Sequence, residues 1–264
     1  MDFQELRPGI FTATLDPAQV NVTLIVGGER ALLVDTGSSQ AQGEEIRAAV
    51  ERATDKPLSY VVASHAHWDH AWGLGAFTDV ETIAHESFAE DSGCAENRER
   101  AAEVGAAPTV STPKTLLSLI GVRDLGGLTV EIAHFGVAHT HGDLIVAVPD
   151  SRVLVVGDLV EDPPSFDETS SLDGWVRCLD AVYALLRDDT LVVPGHGHAM
   201  GPWEVGHVRS GLAAIWGQAE WAYNKGVPVE DLYTYDNLEW PWDQASAEAG
   251  IRVAYRELGE RAAR

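Results

Sequence analysis

The alternation of hydrophobic and polar positions divides the first half of the chain into strands and a helix. Short apolar runs at 20–26 and 31–34, separated by a glycine pair, predict a β-hairpin. Polar residues at 35–39 then break the strand and predict the start of a helix. The near-continuous apolar run 58–63 predicts a buried strand, which leads directly into a histidine-rich segment.

The second half of the chain repeats the order of strands followed by helix. Apolar runs predict strands at 128–135, 144–148, 153–156 and 191–193. Apolar residues at helical spacing predict a helix over 172–186, and the remainder of the chain is predicted to be mostly helical.

Two β-rich halves, each followed by helix, predict an α/β fold. We expect a four-layer αββα sandwich, in which two mixed β-sheets pack face to face between helices. Residues 1–202 are predicted to form this domain, and residues 203–264 a helical C-terminal extension packed on it. A polar, acid-rich stretch at 85–112 has enough Ala and Glu to form helix and is a candidate lid or insertion.

Composition and charge exclude several classes of partner. The 264 residues include 18 Lys+Arg and 41 Asp+Glu, which gives a formal net charge of −23. This acidic excess argues against nucleic acids and anionic membranes as partners, because both bind basic surfaces. The N-terminus lacks the apolar core of a signal peptide, and no apolar run is long enough to span a membrane. We therefore expect a cytoplasmic protein with a small-molecule substrate. The sequence leaves open whether the protein forms a homo-oligomer.

Four residues of metal-binding type occupy six positions directly after the predicted strand 58–63. They are His65, His67, Asp69 and His70. Because positions i and i+2 of an extended segment point to the same side, His65 and His67 can hold one ion together. Asp69 and His70 then fall on the other flank and can hold a second ion. Imidazole and carboxylate groups suit zinc, and also iron or manganese.

Three later strand ends each carry one more residue of this type beside glycine, namely His139, Asp158 and His196. A single Gly-Asp or Gly-His-Gly segment is more often an ordinary turn. The prediction that these residues join the first cluster therefore depends on their order and spacing along the chain.

The combined pattern resembles the metallo-β-lactamase superfamily over about residues 10–200. The matching features are the His-x-His-x-Asp-His motif at 65–70, the three later residues in order, and the Leu-Val-Asp-Thr-Gly turn at 33–37. The resemblance implies the αββα sandwich with a dinuclear metal site at one edge of the sheets. It further implies a first ion held by His65, His67 and His139, a second held by Asp69, His70 and His196, and Asp158 as the bridge between them.

Two such ions, with zinc preferred and iron or manganese as alternatives, would activate a bridging hydroxide. The resemblance thus implies a hydrolase that cleaves an ester, thioester, lactone or amide bond, with Asp69 as general base or acid. Because residues 203–264 hold more acidic than basic side chains, we expect a neutral or apolar substrate. A β-lactam hydrolase and an iron-dependent oxidoreductase on the same fold are the alternatives.

Several residues near these motifs allow two interpretations. Asp35 can accept a hydrogen bond from a ligand histidine or cap the following helix. Trp68 and Trp72 can wall the pocket or pack beneath the loop. His141 is interpreted as an exposed loop residue or as an outer contact of the site. Five of the eight Trp residues lie in 203–264, where they form an apolar pocket, a core or a dimer interface.

Overall fold

The computed structural model describes residues 1–263, apart from the side chains at 236 and 237. A seven-stranded mixed sheet contains, in spatial order, β1 (Gln4–Arg7), β2 (Ile10–Leu15), β3 (Val20–Val26), β4 (Ala31–Val34), β5 (Leu58–Val62), β6 (Glu81–His85) and β7 (Thr115–Leu117). Strands β1 to β4 pair antiparallel, and β4 to β7 pair parallel. The β3–β4 pair is the predicted hairpin.

A five-stranded sheet faces the first one. Its spatial order is β12 (Leu191–Pro194), β11 (Val153–Gly157), β10 (Ile145–Val148), β9 (Thr129–Ala133) and β8 (Ile120–Asp124). Strands β11 and β12 run parallel, and the other pairs are antiparallel.

Helices cover the outer faces of both sheets. They are α1 (Gln40–Ala53), α2 (Trp68–Ala71), α3 (Phe88–Asp91), α4 (Ala95–Glu103), α5 (Leu172–Leu185), α6 (Pro202–Asn224) and α7 (Gln244–Ala262). Short 3₁₀ helices occupy Trp72–Phe77, Pro149–Ser151 and Leu232–Asn237. The Ser39 side chain caps α1 by accepting a hydrogen bond from the backbone N–H of Gln42, so the predicted start of this helix is confirmed.

Three layers of buried apolar side chains hold the sandwich together. The middle layer lies between the sheets and includes Leu32 and Ile83 from one sheet and Val146 from the other. A second layer packs Ile46 of α1 against the seven-stranded sheet. The third packs α5, α6 and α7 against the five-stranded sheet, with Trp175 fully buried in it. The predicted αββα fold is confirmed.

The helical tail and the 85–112 stretch both contain helices that pack on the rest of the protein. Helices α6 and α7 share a core with α5, whereas the division of the chain at residue 202 stays a prediction. The 85–112 stretch contains α3 and α4, and α4 packs against α2. Among the described helices, none combines the length and the apolar character that crossing a membrane requires.

Two helical glycines provide a matched test of packing. A Cβ at Gly43 of α1 would overlap the backbone of Gly73 in the neighbouring 3₁₀ helix, whereas a Cβ at Gly217 of α6 would meet open space. We expect Gly43→Ala to lower the free energy of unfolding by about 1–3 kcal/mol through overpacking. Gly217→Ala should raise it by roughly 0.5–1 kcal/mol. Urea unfolding of the metal-free protein measures both, and a Gly43→Ala variant as stable as wild type would contradict the close helix contact.

Candidate metal centre

The side chains predicted as metal ligands meet at one edge of the sandwich, each on a loop that follows a strand. The segment 65–70 follows β5 and runs into α2, and His139 lies between β9 and β10. Asp158 comes directly after β11, and His196 comes after β12. Because parallel strands such as β11 and β12 end at the same edge, these loops are brought together by the sheets themselves.

Four of these residues form a first group. His67 Nδ1 lies 3.0 Å from both His65 Nε2 and His139 Nε2. Asp158 Oδ2 lies 3.6 Å from His65 Nε2 and 3.7 Å from His139 Nε2. Ligand atoms about 2.1 Å from a tetrahedral zinc ion are separated by roughly 3.4 Å, so these four atoms are spaced as ligands of one ion would be.

The other three residues form a second group beside it. His196 Nε2 lies 3.3 Å from both Asp69 Oδ2 and His70 Nε2. Asp158 reaches this group too, with Oδ1 3.3 Å from His70 Nε2 and Oδ2 3.5 Å from His196 Nε2. Asp158 therefore stands between the two groups, where a bridging ligand is expected. The ligand roles themselves stay a prediction.

The chemistry of the first group fits a divalent cation. His67 Nε2 lies 2.9 Å from Asp167 Oδ2, so we assign the ring proton to Nε2 and leave a lone pair on Nδ1. That lone pair faces two further imidazole nitrogens at 3.0 Å. On the side of the second group, Asp158 Oδ1 is likewise buried and receives no hydrogen bond. Such an arrangement is costly without positive charge, which a bound ion supplies.

Asp35 holds the second group in place from behind. Its Oδ2 accepts hydrogen bonds from His70 Nδ1 and from the Ser64 hydroxyl, both at 2.8 Å, and its Oδ1 accepts the Ser64 backbone N–H at 2.7 Å. The bond to Nδ1 leaves Nε2 of His70 free to bind an ion. Asp35 also has a φ of 66°, a left-handed conformation that is strained for a residue other than glycine. Of its two interpretations, the structure shows the hydrogen bond to His70, a predicted ligand, while Ser39 caps the helix.

Asp167 supports the first group in the same way, and sequence reasoning did not single it out. Besides its contact with His67, its Oδ1 accepts hydrogen bonds from the backbone N–H and the hydroxyl of Thr169, both at 2.7 Å. Its side chain is only 7% exposed, although the acidic stretch 161–173 looks like solvated surface in the sequence. The Asp-x-Thr spacing indicates a local turn, but no local signal points to a histidine 100 residues earlier.

Two buried asparagines, which no sequence pattern indicated, tether loops that carry predicted metal ligands. Asn21 of β3 donates its side-chain N–H groups to the carbonyl oxygens of Pro194 and Gly197, at 3.0 and 2.8 Å, and so fastens the His196 loop to the opposite sheet. Asn97 of α4 holds the 65–70 loop through hydrogen bonds to its backbone.

Asn97 satisfies the backbone on both sides of His67. It accepts the backbone N–H of Trp68 at 3.0 Å and donates to the carbonyl oxygen of Ala66 at 3.1 Å. A further bond runs to the carbonyl oxygen of Asp91. The acid-rich stretch therefore carries a residue that positions a predicted ligand.

The histidines of the two groups differ in electrostatics. Burial lowers the pKa of His67 in the first group, but its hydrogen bond to Asp167 and the charge of that carboxylate outweigh burial, so this pKa is raised. Burial, together with the neighbouring imidazoles, lowers the pKa of His65 and brings that of His139 to about 4. Burial has the same effect on His70 and His196, but nearby carboxylates outweigh it. The pKa of His70 is raised well above its usual value by Asp158 and Asp35, and that of His196 rises to about 10.

A cleft of about 180 Å³ opens over both groups. Besides predicted ligands, its lining comprises Trp68, Glu96, Asn97, Arg100, Glu161, Ser165, Phe166 and Asp167. The 85–112 stretch thus supplies one wall through α4, whereas closure as a lid stays a prediction. The loop after Asp158 supplies the opposite wall.

The tryptophans near the 65–70 segment and in the helical tail occupy different environments. Trp68 lines the cleft, while Trp72 is buried and donates its indole N–H to the carbonyl oxygen of Ala107. The five tail tryptophans all lie in the described part of the chain, and none lines the cleft. Three of them pack against the α5–α7 core, and Trp203 and Trp221 are exposed. Of the three interpretations of these residues, the core therefore describes Trp216, Trp240 and Trp242.

Two histidines near the site stand outside both groups. His141 Nδ1 lies 2.6 Å from Asp91 Oδ1, where it links the 139–143 loop to α3. His198, two residues beyond His196, is exposed.

The pKa shifts predict that an ion bound at His196 displaces a proton that an ion bound at His139 does not. With its pKa raised to about 10, His196 is protonated at pH 7 and must lose the proton to bind metal. His139 is neutral at that pH, so it has none to lose. Calorimetry of zinc binding in buffers of different ionisation enthalpy counts the released protons. We expect His196→Ala to release fewer protons per ion than His139→Ala, and release should decline as the pH approaches 10. Equal release by the two variants would contradict the assignment.

The role of Asn97 predicts a loss of metal affinity on Asn97→Ala. Without this side chain the backbone around His67 is freed, and we expect zinc affinity to fall about 10- to 100-fold, as for other outer contacts of metal ligands. Competition with a chromophoric chelator measures the affinity. Arg98→Ala, one residue along and exposed, is the control and should bind zinc as wild type does. Wild-type affinity in Asn97→Ala would show that the loop holds its shape unaided.

Comparison with known proteins agrees with this geometry. A linear primary-alkylsulfatase of Pseudomonas sp. (strain ATCC 19151) is 24% identical over 258 aligned residues, which cover 79% of this chain and 48% of that protein. The acyl-coenzyme A thioesterase MBLAC2 of Homo sapiens is 26% identical over 212 residues, covering 69% of this chain and 75% of that protein.

Among solved structures, the sec-alkylsulfatase Pisa1 of Pseudomonas sp. superposes with a TM-score of 0.78 at 17% identity, covering 97% of this chain and 50% of that one. The chain thus spans about half the length of each alkylsulfatase. The family model described as the metallo-beta-lactamase superfamily matches residues 15–198. Because that match extends over more than half of the sequence and includes every strand end described above, the chain belongs to the metallo-beta-lactamase superfamily.

Proposed function

We propose that this protein is a two-metal hydrolase that cleaves an ester, thioester, lactone or amide bond in a small neutral or apolar substrate. The observation that carries the proposal is the position of Asp158, whose two oxygens face the two groups of predicted ligands. The relatives support it, because their names are those of a sulfatase and a thioesterase.

The first group favours zinc, because three imidazoles and one further ligand complete a tetrahedral zinc site. Iron and manganese are the alternatives at both positions. Two divalent ions held here would supply a hydroxide at neutral pH and stabilise the oxyanion that forms when it attacks.

The chain's own residues account for the remaining steps. The Asp69 carboxylate lines the cleft and can orient the attacking water, accept its proton and return a proton to the leaving group. Asp35 and Asp167 keep His70 and His67 in the tautomers that leave one nitrogen free for an ion. Trp68 and Phe166 cover part of the cleft with apolar surface and limit access of bulk water.

The charges around the cleft support a neutral substrate. Glu96, Glu161 and Asp167 line it against a single arginine, Arg100, among the lining residues that the structure describes. A strongly anionic substrate would meet repulsion at this entrance. The same acidic balance supports the expectation that nucleic acids are not substrates.

Sulfate-ester hydrolysis is the second candidate. The likeness to the sec-alkylsulfatase fold covers 97% of this chain, so it includes the helical tail as well as the sandwich. Arg100 is also a cation that could pair with a sulfate group at the mouth of the cleft.

A substrate panel with a matched pair of histidine variants tests the proposal. Zinc-loaded protein is assayed on thioesters, lactones, β-lactams and alkyl sulfates. We expect turnover of a carbonyl substrate that falls about 100-fold or more in His196→Ala, because a predicted ligand is lost. Activity should be close to wild type in His198→Ala, which removes an exposed histidine from the same loop.

Three outcomes would contradict the proposal. Equal activity of His196→Ala and wild type would remove the metal centre from the reaction. Turnover of alkyl sulfates alone would favour the second candidate. Protein isolated with iron and visible absorbance, without hydrolysis of any member of the panel, would favour an oxidoreductase.

A further inference from the structure

Glu161 lies beside the second metal group, although the family motif in the sequence does not include it. Asp158, Glu161 and His196 each place a potential ligand atom within 4.8 Å of the other two. Two ligands on opposite sides of one ion, with bonds of about 2.1–2.2 Å, are separated by roughly 4.3 Å. Because the observed limit of 4.8 Å is only slightly longer, a small rotation of the Glu161 side chain would bring its carboxylate to an ion that His196 and Asp158 hold.

The orientation of this carboxylate is fixed by its own loop. Glu161 Oε2 accepts hydrogen bonds from the Ser165 hydroxyl at 2.6 Å and from the Ser165 backbone N–H at 3.0 Å. The chain before it is anchored, because the carbonyl oxygen of Leu159 accepts the indole N–H of buried Trp175 at 2.9 Å. A carboxylate held by such a hydroxyl resembles the arrangement that orients metal ligands in other sites.

Negative charge accumulates where Glu161 meets the predicted ligands. Asp69, Asp158 and Glu161 all line the same cleft. Arg100, the arginine in the lining, pairs with Glu103 at 3.3 Å instead. Asp158 is 4% exposed, and its Oδ1 lies 3.3 Å from His70 Nε2 without forming a hydrogen bond. This buried, unpartnered oxygen is an independent sign that a cation belongs beside these carboxylates.

A purely structural role for Glu161 does not explain why its carboxylate lies in the cleft. If Glu161 served only to close the turn at 161–165, the contact with Ser165 would suffice, and a position on the solvent side of the loop would cost less repulsion. The carboxylate instead faces the cleft, close to His196 and Asp158.

We propose that Glu161 is a further ligand of the second metal position, and that it shifts this position from zinc towards manganese or iron. The inference rests on the proposed two-metal function. Glu161 groups with Asp158 and His196, and His196 Nε2 lies 3.3 Å from both His70 Nε2 and Asp69 Oδ2. The ion would then have up to two imidazole and three carboxylate ligands. Carboxylate-rich sites with five or six ligands suit manganese and iron, whereas zinc favours four.

The proposal is tested by metal binding in Glu161→Gln, which keeps the size of the side chain and removes its charge. Glu168→Gln, on the same loop and exposed, is the matched control. Each protein is stripped, loaded with one equivalent of zinc, and titrated with Mn²⁺ while free Mn²⁺ is followed by electron paramagnetic resonance. We expect Mn²⁺ affinity to fall by at least about 10- to 100-fold in Glu161→Gln and to match wild type in Glu168→Gln.

Cobalt spectroscopy supplies a second measurement. Wild-type protein should give the weak absorption of five- or six-coordinate Co²⁺ with the second equivalent, and Glu161→Gln the stronger absorption of four-coordinate Co²⁺. Glu161→Asp, which keeps the charge on a shorter side chain, should fall between the two. Unchanged Mn²⁺ affinity and an unchanged cobalt spectrum in Glu161→Gln would overturn the proposal.

These results separate the two proposals. Loss of Mn²⁺ affinity in Glu161→Gln, without hydrolysis by the wild type, would leave the ligand role standing and remove only the proposed reaction. Hydrolysis by the wild type, with Mn²⁺ affinity unaffected by Glu161→Gln, would remove only the ligand role.

Discussion

The hydrogen bond between Asp35 and His70 is the interaction on which the rest of the centre depends. Asp35 follows β4 and is 1% exposed, so its charge has to be balanced inside the protein. It is balanced by His70 and by two bonds from Ser64, which follows β5. The carbonyl oxygen of Ser64 in turn accepts the backbone N–H of Leu144, next to β10, at 2.7 Å. One buried carboxylate therefore joins both sheets at the edge where the loops converge. Because these contacts hold Asp35 from several sides, its strained backbone conformation can persist. Loss of one of these partners would leave the buried carboxylate less well compensated.

From this anchor, the centre is built by contacts between segments that are distant in the sequence. Asn21 draws the His196 loop towards the first sheet, Asn97 braces the 65–70 loop, and Asp167 fixes the ring of His67. Each contact supplies a hydrogen-bond partner to a polar group of one loop and so restrains that loop. The result is two groups of donor atoms in which, among the described residues, neither Asp69 nor Asp158 pairs with a Lys or Arg side chain. Two divalent ions bound there would displace the proton on His196 and neutralise these carboxylates.

The fold and the seven candidate ligands could be predicted from the sequence because their signals are local or regularly spaced. Strand β5 and helix α5 follow directly from apolar periodicity, and the 65–70 segment concentrates four donor residues in six positions. Asn21, Asn97 and Asp167 could not be predicted, because their partners lie tens to more than 150 residues away and asparagine or aspartate in a loop usually indicates a turn. The role of the tail tryptophans stayed open at the level of sequence, because large apolar residues on helices serve a core as readily as a pocket. Acidic residues at 161–173 look like solvated surface in the sequence, yet Glu161 and Asp167 line the cleft.

Anomalous diffraction from crystals of the metal-loaded protein would show whether these side chains hold two ions. We expect two peaks about 3.5–4 Å apart. One should lie among His65, His67 and His139, and the other among Asp69, His70 and His196, with Asp158 between them. A single peak, or peaks away from these residues, would contradict this expectation.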